Sequence, residues 1–447
     1  MTRSLETLTG ALLAAAKRAG ADAADAIAVD GIATSIDIRA GKLEQAERSE
    51  GVELGLRVLI GQRQACVSVS DTSEASIRAV AERAVAMARE APEDKYAGLA
   101  DPSQLAKSWD MATLDLCDPS PEASAAALED DARRAEAAAM GVAGITQVEA
   151  SASQSRRQIH MAASNGFAGG YARSSRSLSA VAFTNSGTGM ERDWAAEGRI
   201  YAADLPSAEE IGALAAARAL DRVGARKPKT GSYPVLYDER ISSGIIGHFL
   251  GAINGATIAR GSGWLRDALG TRILPRGLSV IEDPHRRRIA GSRAFDGEGL
   301  PTARRAIVED GVLMGWVLDL ATGRKLEMPS TANAARGTSS PPSPGTSNID
   351  LTQGVKTRAE LLADMGTGLL VTSLIGSSIN PTTGDYSRGA SGFWVENGQI
   401  TYAVNECTIA GNLRDMLLAM TPANDARMHM STRVPSLLVE GLTLAGA

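Results

Sequence analysis

A chain of 447 residues is longer than one hydrophobic core serves, so two or three domains are expected. Hydrophobic residues make up 44% and charged residues 22%, an ordinary globular balance. A net charge of -6 without a long basic stripe argues against a nucleic-acid partner, and the absence of an 18-residue apolar run argues against a membrane span.

Aromatics reach only 4% against 46 glycines, so the interior must be built from Ala, Val, Leu and Ile. Cys66, Cys117 and Cys407 are odd in number, far apart and in no CxxC spacing. They read as free thiols of a reducing cytoplasm. The apolar stretch 12–16 is too short for a signal peptide and is bracketed by Glu6, Lys17 and Arg18. A cytoplasmic location is therefore expected.

In chain order, Leu5, Leu8, Leu12 and Leu13 recur at helical spacing and predict a helix over 4–20. Alternation predicts strands over 33–40, 52–61 and 65–69. Asp71 and Ser73 offer N-caps for an Ala-rich helix over 74–91, which Pro92 ends. Further helices are expected over 121–140 and 206–225, with strands at 145–152, 157–162, 177–184 and 195–202 between them. Their polar alternation suggests an antiparallel sheet with one wet face.

From Tyr233 the texture changes to more Gly and shorter apolar runs. Strands are expected at 233–238, 278–281, 305–309, 312–318 and 368–375, and the segment 241–258 is small, apolar and Gly-rich. A Pro/Ser-rich loop over 330–349 reads as a flap, a binding loop or disorder. Thr383, Gly384 and Asp385 give a turn signal that runs into Ser387, Arg388 and Gly389. A hairpin follows, with Phe393 to Val395 and 399–404 joined at Asn397-Gly398. The expected class is α+β: an N-terminal α+β region, then a β-rich C-terminal domain with a mostly antiparallel sheet. The expected division is 1–105, 106–228 and 229–447.

The chemistry is sparse. The four histidines are His160, His248, His285 and His429, and no two fall at metal-site spacing. No HExxH, GxSxG or phosphate-loop pattern occurs. His248, read on a helix with Gly244 and Ala252 nearby, is either a packed histidine or a catalytic one.

Several blocks together resemble the TldD/PmbA family in its PmbA (TldE) branch. They are GLRVLIGQRQACVSVSD, SSGIIGHFLGAINGA, FDGEGLPTARRAIVEDGVLMGWVLD and TGDYSRGASGFWVENGQITYAVNECTIAGNLRDM. The resemblance runs from about residue 30 to the C-terminus. It implies a cytoplasmic two-subunit peptidase system that degrades or trims flexible, unfolded peptides. The TldD-type subunit carries HExxxH and a later cysteine ligand, so zinc is expected in that partner. Here Ser243 stands at the first histidine, Gly244 at the glutamate, and only His248 at the second histidine. Val434 falls near the cysteine position, and Cys407 lies in a different block.

The resemblance therefore implies no catalytic metal and no cofactor in this chain, which would pair with a TldD-type homologue or with itself. Exposed strand edges of the C-terminal domain are expected to hold peptide. Asp385 and Arg388, in the DYSRG turn, and His248 are the candidates for shaping the cleft or the dimer contact. Two other readings stand beside this one. One is a self-sufficient homodimeric peptidase that recruits His248, Cys407 and Asp385. The other is a chaperone-like protein that binds peptides without cleaving them.

Overall fold

The computed structural model describes residues 3–185 and 189–446. Its N-terminal half is built on long hairpins. Strand β1 (Ala23–Arg39) pairs antiparallel with β2 (Lys42–Ile60) over their whole lengths. Strand β3 (Arg63–Val69) then pairs with the end of β2. Strands β4 (Ile145–Ala163), β5 (Ala168–Thr184) and β6 (Glu191–Arg199) complete one antiparallel sheet of order β3-β2-β1-β4-β5-β6.

The strands are much longer than alternation predicts, and 145–152 and 157–162 are one strand. Residues 42–51 of β2 are exposed on both faces, so the apolar half of the alternation is missing there. Because β1 pairs with β4, strands from residues 1–105 and 106–228 share this sheet.

Four helices cover one face: α1 (Leu5–Ala19), α2 (Glu74–Glu90), α3 (Ala125–Met140) and α4 (Ala208–Leu220). Ser4, Ser73, Ser124 and Ser207 cap them, each hydroxyl accepting a backbone N–H of the first turn. Leu8 and Leu12 of α1 and Ile77 and Val80 of α2 pack on Ala26, Leu54 and Leu56. Leu128 and Ala135 of α3 and Ile211 and Ala215 of α4 pack on Ile38, Val148 and Ala180. Small side chains let the layers approach closely. At Gly212, an added Cβ would lie 2.1 Å from the carbonyl oxygen of Ala135, so only glycine fits that crossing.

The C-terminal half holds the largest core, which includes Tyr237, Ile245, Phe249, Trp316, Val371, Trp394 and Leu437. Strands β7 (Gly231–Tyr237), β8 (Gly368–Ile379), β9 (Asp385–Glu396), β10 (Gln399–Asn412) and β11 (Leu437–Ala445) form its main sheet. Only the β7–β8 pair is parallel. Since β11 pairs with both β7 and β10, the sheet closes into a ring. A smaller sheet of short strands and helix α5 (Glu239–Ala252) pack against it.

One expectation changes here, and two others gain detail. The DYSRG segment is not a turn. Residues 385–389 are the start of β9, paired with both β8 and β10. In the main C-terminal sheet the outer side of β10 is paired to β11 only at Thr408 to Ala410, so the edge there is short. A longer unpaired edge lies on β2 from Lys42 to Glu53, because β3 begins its pairing at Leu54. The 330–349 segment folds back on itself, with Ala334–Ala335 paired to Ser343–Pro344. Its base is pinned by buried Glu282, which accepts from Asn333 Nδ2 at 2.8 Å and from the Ser347 backbone N–H at 2.6 Å.

Candidate functional site

Helix α5 carries the candidate site, and charged contacts fix where it starts. Asp238 caps it, accepting from the backbone N–H and the Nε of Arg240, each at 3.1 Å. The other Asp238 oxygen takes Arg358 Nη1 at 2.7 Å. Arg240 also reaches Asp193 of β6 at 3.3 Å, which ties the helix to the N-terminal sheet. The buried face of α5 presents Ser242, Ile245, Ile246 and Phe249 to the core. Charged pairs this dry stabilise only when each partner is satisfied, and Asp238 is.

His248 sits half-buried on α5 beside β9. Its ring lies 6.2 Å from that of Tyr386, edge-on. Alternation along β9 puts Tyr386 and Arg388 on one face and Asp385 on the other. Tyr386 in turn neighbours Tyr237 of β7, and burial raises both phenols. Burial, and then the positive charge of Arg388, hold the His248 imidazole below its ordinary value, so it is neutral near pH 7. His248 Nε2 and Arg388 Nε are buried and have no hydrogen-bond partner among the described residues.

The structure brings His248 and Arg388 together and leaves Asp385 outside. Asp385 is exposed. It accepts from the Thr383 hydroxyl at 2.6 Å and from Asn412 Nδ2 at 3.1 Å, which closes the approach to β9. Those two bonds lower its carboxyl. Cys407 is buried in β10, donates to the Ala390 carbonyl at 3.2 Å, and is pushed by burial to about 11. That is the profile of a packed thiol rather than a reactive one.

The implied metal can be tested against this geometry. Ser242 Oγ donates to the Val434 carbonyl at 3.3 Å, so the α5 window and the segment around Val434 do meet. The side chains there are wrong for zinc. Val434 is buried and apolar, and Gly244 has no side chain. Ser243, where the resemblance places the first histidine, offers only a hydroxyl, a weak metal ligand, and stands with His248 on α5. Zinc needs three or four N, S or O ligands converging on one point. Among the described residues, no group of three His, Cys, Asp or Glu converges in that way. The Arg388 guanidinium beside His248 would also repel a divalent cation. The residues at this position do not fit the metal.

Sequence reasoning missed Tyr237 and Tyr386 as companions of His248. The period-two spacing of Tyr386 and Arg388 was a usable signal had 385–389 been read as strand. Nothing in the sequence links Tyr237 to them.

Comparisons with known proteins follow the same lines. The family description "PmbA/TldA metallopeptidase C-terminal domain" matches residues 230–446, with domain 1 of that family at 24–88 and its central domain at 118–223. The chain is 36% identical over 414 residues to "Metalloprotease PmbA" of Escherichia coli, covering 92% of this chain and 90% of that protein. It is 35% identical to a PmbA homologue of Haemophilus influenzae, covering 96% and 94%. A Bacteroides thetaiotaomicron structure, described as a proposed DNA-gyrase modulator, superposes with a TM-score of 0.92 at 27% identity, covering 99% of each chain. TldE from Thermococcus kodakarensis has the same fold, with a TM-score of 0.84 at 18% identity, covering 98% of this chain and 100% of that one.

Proposed function

Because the chain belongs to the PmbA/TldD metallopeptidase family, we propose that it is the subunit of a peptidase complex that carries no catalytic metal of its own. In this reading a metal-bearing homologue supplies the hydrolytic centre, and this chain supplies part of the enclosing wall and of the peptide-binding surface. The observation that carries the reading is the donor set on α5. Among the described residues His248 belongs to no group of three potential metal ligands, and it stands next to a guanidinium.

A zinc-activated water needs an open coordination position and a general base in reach, and Gly244 provides no base. In this reading the substrates are flexible, unfolded peptides, since an enclosed chamber between subunits admits extended chains and excludes folded ones. A cytoplasmic site of action fits the free thiols Cys66, Cys117 and Cys407, and among the described residues no helix is long and apolar enough to cross a membrane.

The test is peptide cleavage by this chain, by a metal-bearing homologue, and by the mixture. Cleavage that requires both supports the reading. Metal-dependent cleavage by this chain alone would place the catalytic set elsewhere and favour the self-sufficient homodimer. Binding without turnover, even in the mixture, would favour a peptide-capturing protein.

A further inference from the structure

A cleft of about 860 Å³ runs between the uncovered face of the N-terminal sheet and the C-terminal half, within the roughly 300–1,000 Å³ of ligand-binding clefts. Val29, Ile159 and Tyr171 give it an apolar floor, and Phe295 faces them from the other wall. Four arginines line it: Arg157 and Arg173 from the sheet, and Arg293 and Arg336 from the facing segments.

Their charges are poorly compensated. Arg157 and Arg173 stand directly opposite each other across β4 and β5, a like-charge pairing that costs stability unless an anion sits between the side chains. Arg157 makes no hydrogen bond or ion pair among the described residues. Arg173 donates to the neutral carbonyls of Ala290 (2.6 Å) and Ser292. Arg293 donates to the carbonyls of Ala334 (3.2 Å) and Gly345 (2.8 Å), and burial lowers its pKa although the carboxyls of Glu282 and Asp296 act against that. Arg336 pairs with Asp25, but Asp25 is shared with Arg57, so two guanidiniums meet one carboxylate.

The acids of the cleft lie at its rim or are already engaged. Glu50 pairs with Arg48 at 3.1 Å, and Glu53 accepts from Thr338 at 2.6 Å. Asp296 takes three backbone N–H groups, from Glu298, Leu300 and Ala334, while burial raises its carboxyl.

We infer that this cleft binds an extended acidic peptide segment, with carboxylates against Arg157, Arg173 and Arg293 and apolar side chains on the Tyr171–Phe295 floor. The inference rests on the reading of the chain as a peptide-handling subunit, and it adds a substrate class to that reading. The unpaired β2 edge beside Glu50 and Glu53 offers main-chain hydrogen bonds to the same segment.

The experiment uses the full chain alone, without metal or homologue. Fluorescence anisotropy is read with short labelled peptides that are Glu-rich, neutral or Lys-rich, and with a single-stranded oligonucleotide. The Glu-rich peptide is expected to bind at least about tenfold tighter than the neutral one, more weakly as salt rises. Exposed Arg157→Glu and, separately, Arg293→Met are each expected to remove most of that preference, with folding checked by thermal unfolding. Equal affinity for the neutral peptide, equal affinity for the oligonucleotide, or an unchanged preference in a folded Arg157→Glu chain would overturn the inference. Acidic-peptide binding here, with no cleavage by the mixture, would sink the subunit reading alone. Cleavage by the mixture without any acidic preference would sink the cleft alone.

Discussion

The two large sheets of this chain treat their edges and their charges in opposite ways. The C-terminal ring closes on itself through β11, and at the position that the family resemblance associates with metal it sets a half-buried His248 beside Arg388. The N-terminal sheet stays open. Part of the outer edge of β2 is unpaired, and one face carries the Arg157–Arg173 pair into a wide cleft. A closed sheet protects a core, and an open one offers backbone and charge to a ligand. In the proposed reading, the surface that meets peptide lies in the space between the halves rather than at α5.

The comparison breaks most readily at the joint between the two regions. Burial alone would raise Asp25, but Arg336 and Arg57 outweigh it and hold its carboxyl below the usual range. Asp25→Ala leaves two buried guanidiniums unpaired and should cost about 3–5 kcal/mol, read as a drop in the denaturant midpoint. A loss below about 1 kcal/mol would mean that the Arg336 segment does not hold the halves together.

Glu298 lies below the same joint, where burial, and then the charge of Asp296, push it up to about 8. Its folded value lies above the ordinary 4.5, so between those limits the unfolded chain loses a proton that the folded chain keeps. Stability contributed by the protonated group is therefore present below about pH 4.5 and lost as pH rises through about 8. Glu298→Gln should flatten that slope and gain on the order of 3 kcal/mol near pH 8. A variant with the wild-type pH profile would contradict the assignment.

Smaller effects sharpen the contrast. Gly212→Ala drives a Cβ into the Ala135 carbonyl and should cost about 1–3 kcal/mol, confined to the N-terminal half in hydrogen exchange. His248→Ala should change stability by no more than about 1 kcal/mol and leave cleavage by the mixed subunits within a few-fold. A loss of about 100-fold or more would instead give His248 a catalytic part.

Much of this contrast was legible in the sequence where local chemistry decides. The Asn397-Gly398 hairpin is formed as its residues predict, both at positive φ (51° and 76°). The helices over 5–19 and 74–90 follow their apolar spacing and serine caps. The DYSRG segment misled because Asp, Ser and Gly are turn formers, while its strand identity comes from pairing on both sides. The outer half of the β1–β2 hairpin was missed because neither face of β2 is buried there. His248 on a helix was readable, but Tyr386 beside it, and Tyr237 beside Tyr386, depend on contacts between β7, α5 and β9 that are distant in sequence. The cleft arginines sit at 157, 173, 293 and 336, and only the sheet register and the docking of the two halves bring them together.

The most direct test of the central claim is the zinc content of this chain, purified alone, incubated with excess zinc and desalted. The account predicts far less than one ion per chain and no change in His248→Ala. One tightly held ion per chain, lost on His248→Ala, would contradict it and return the catalytic centre to α5.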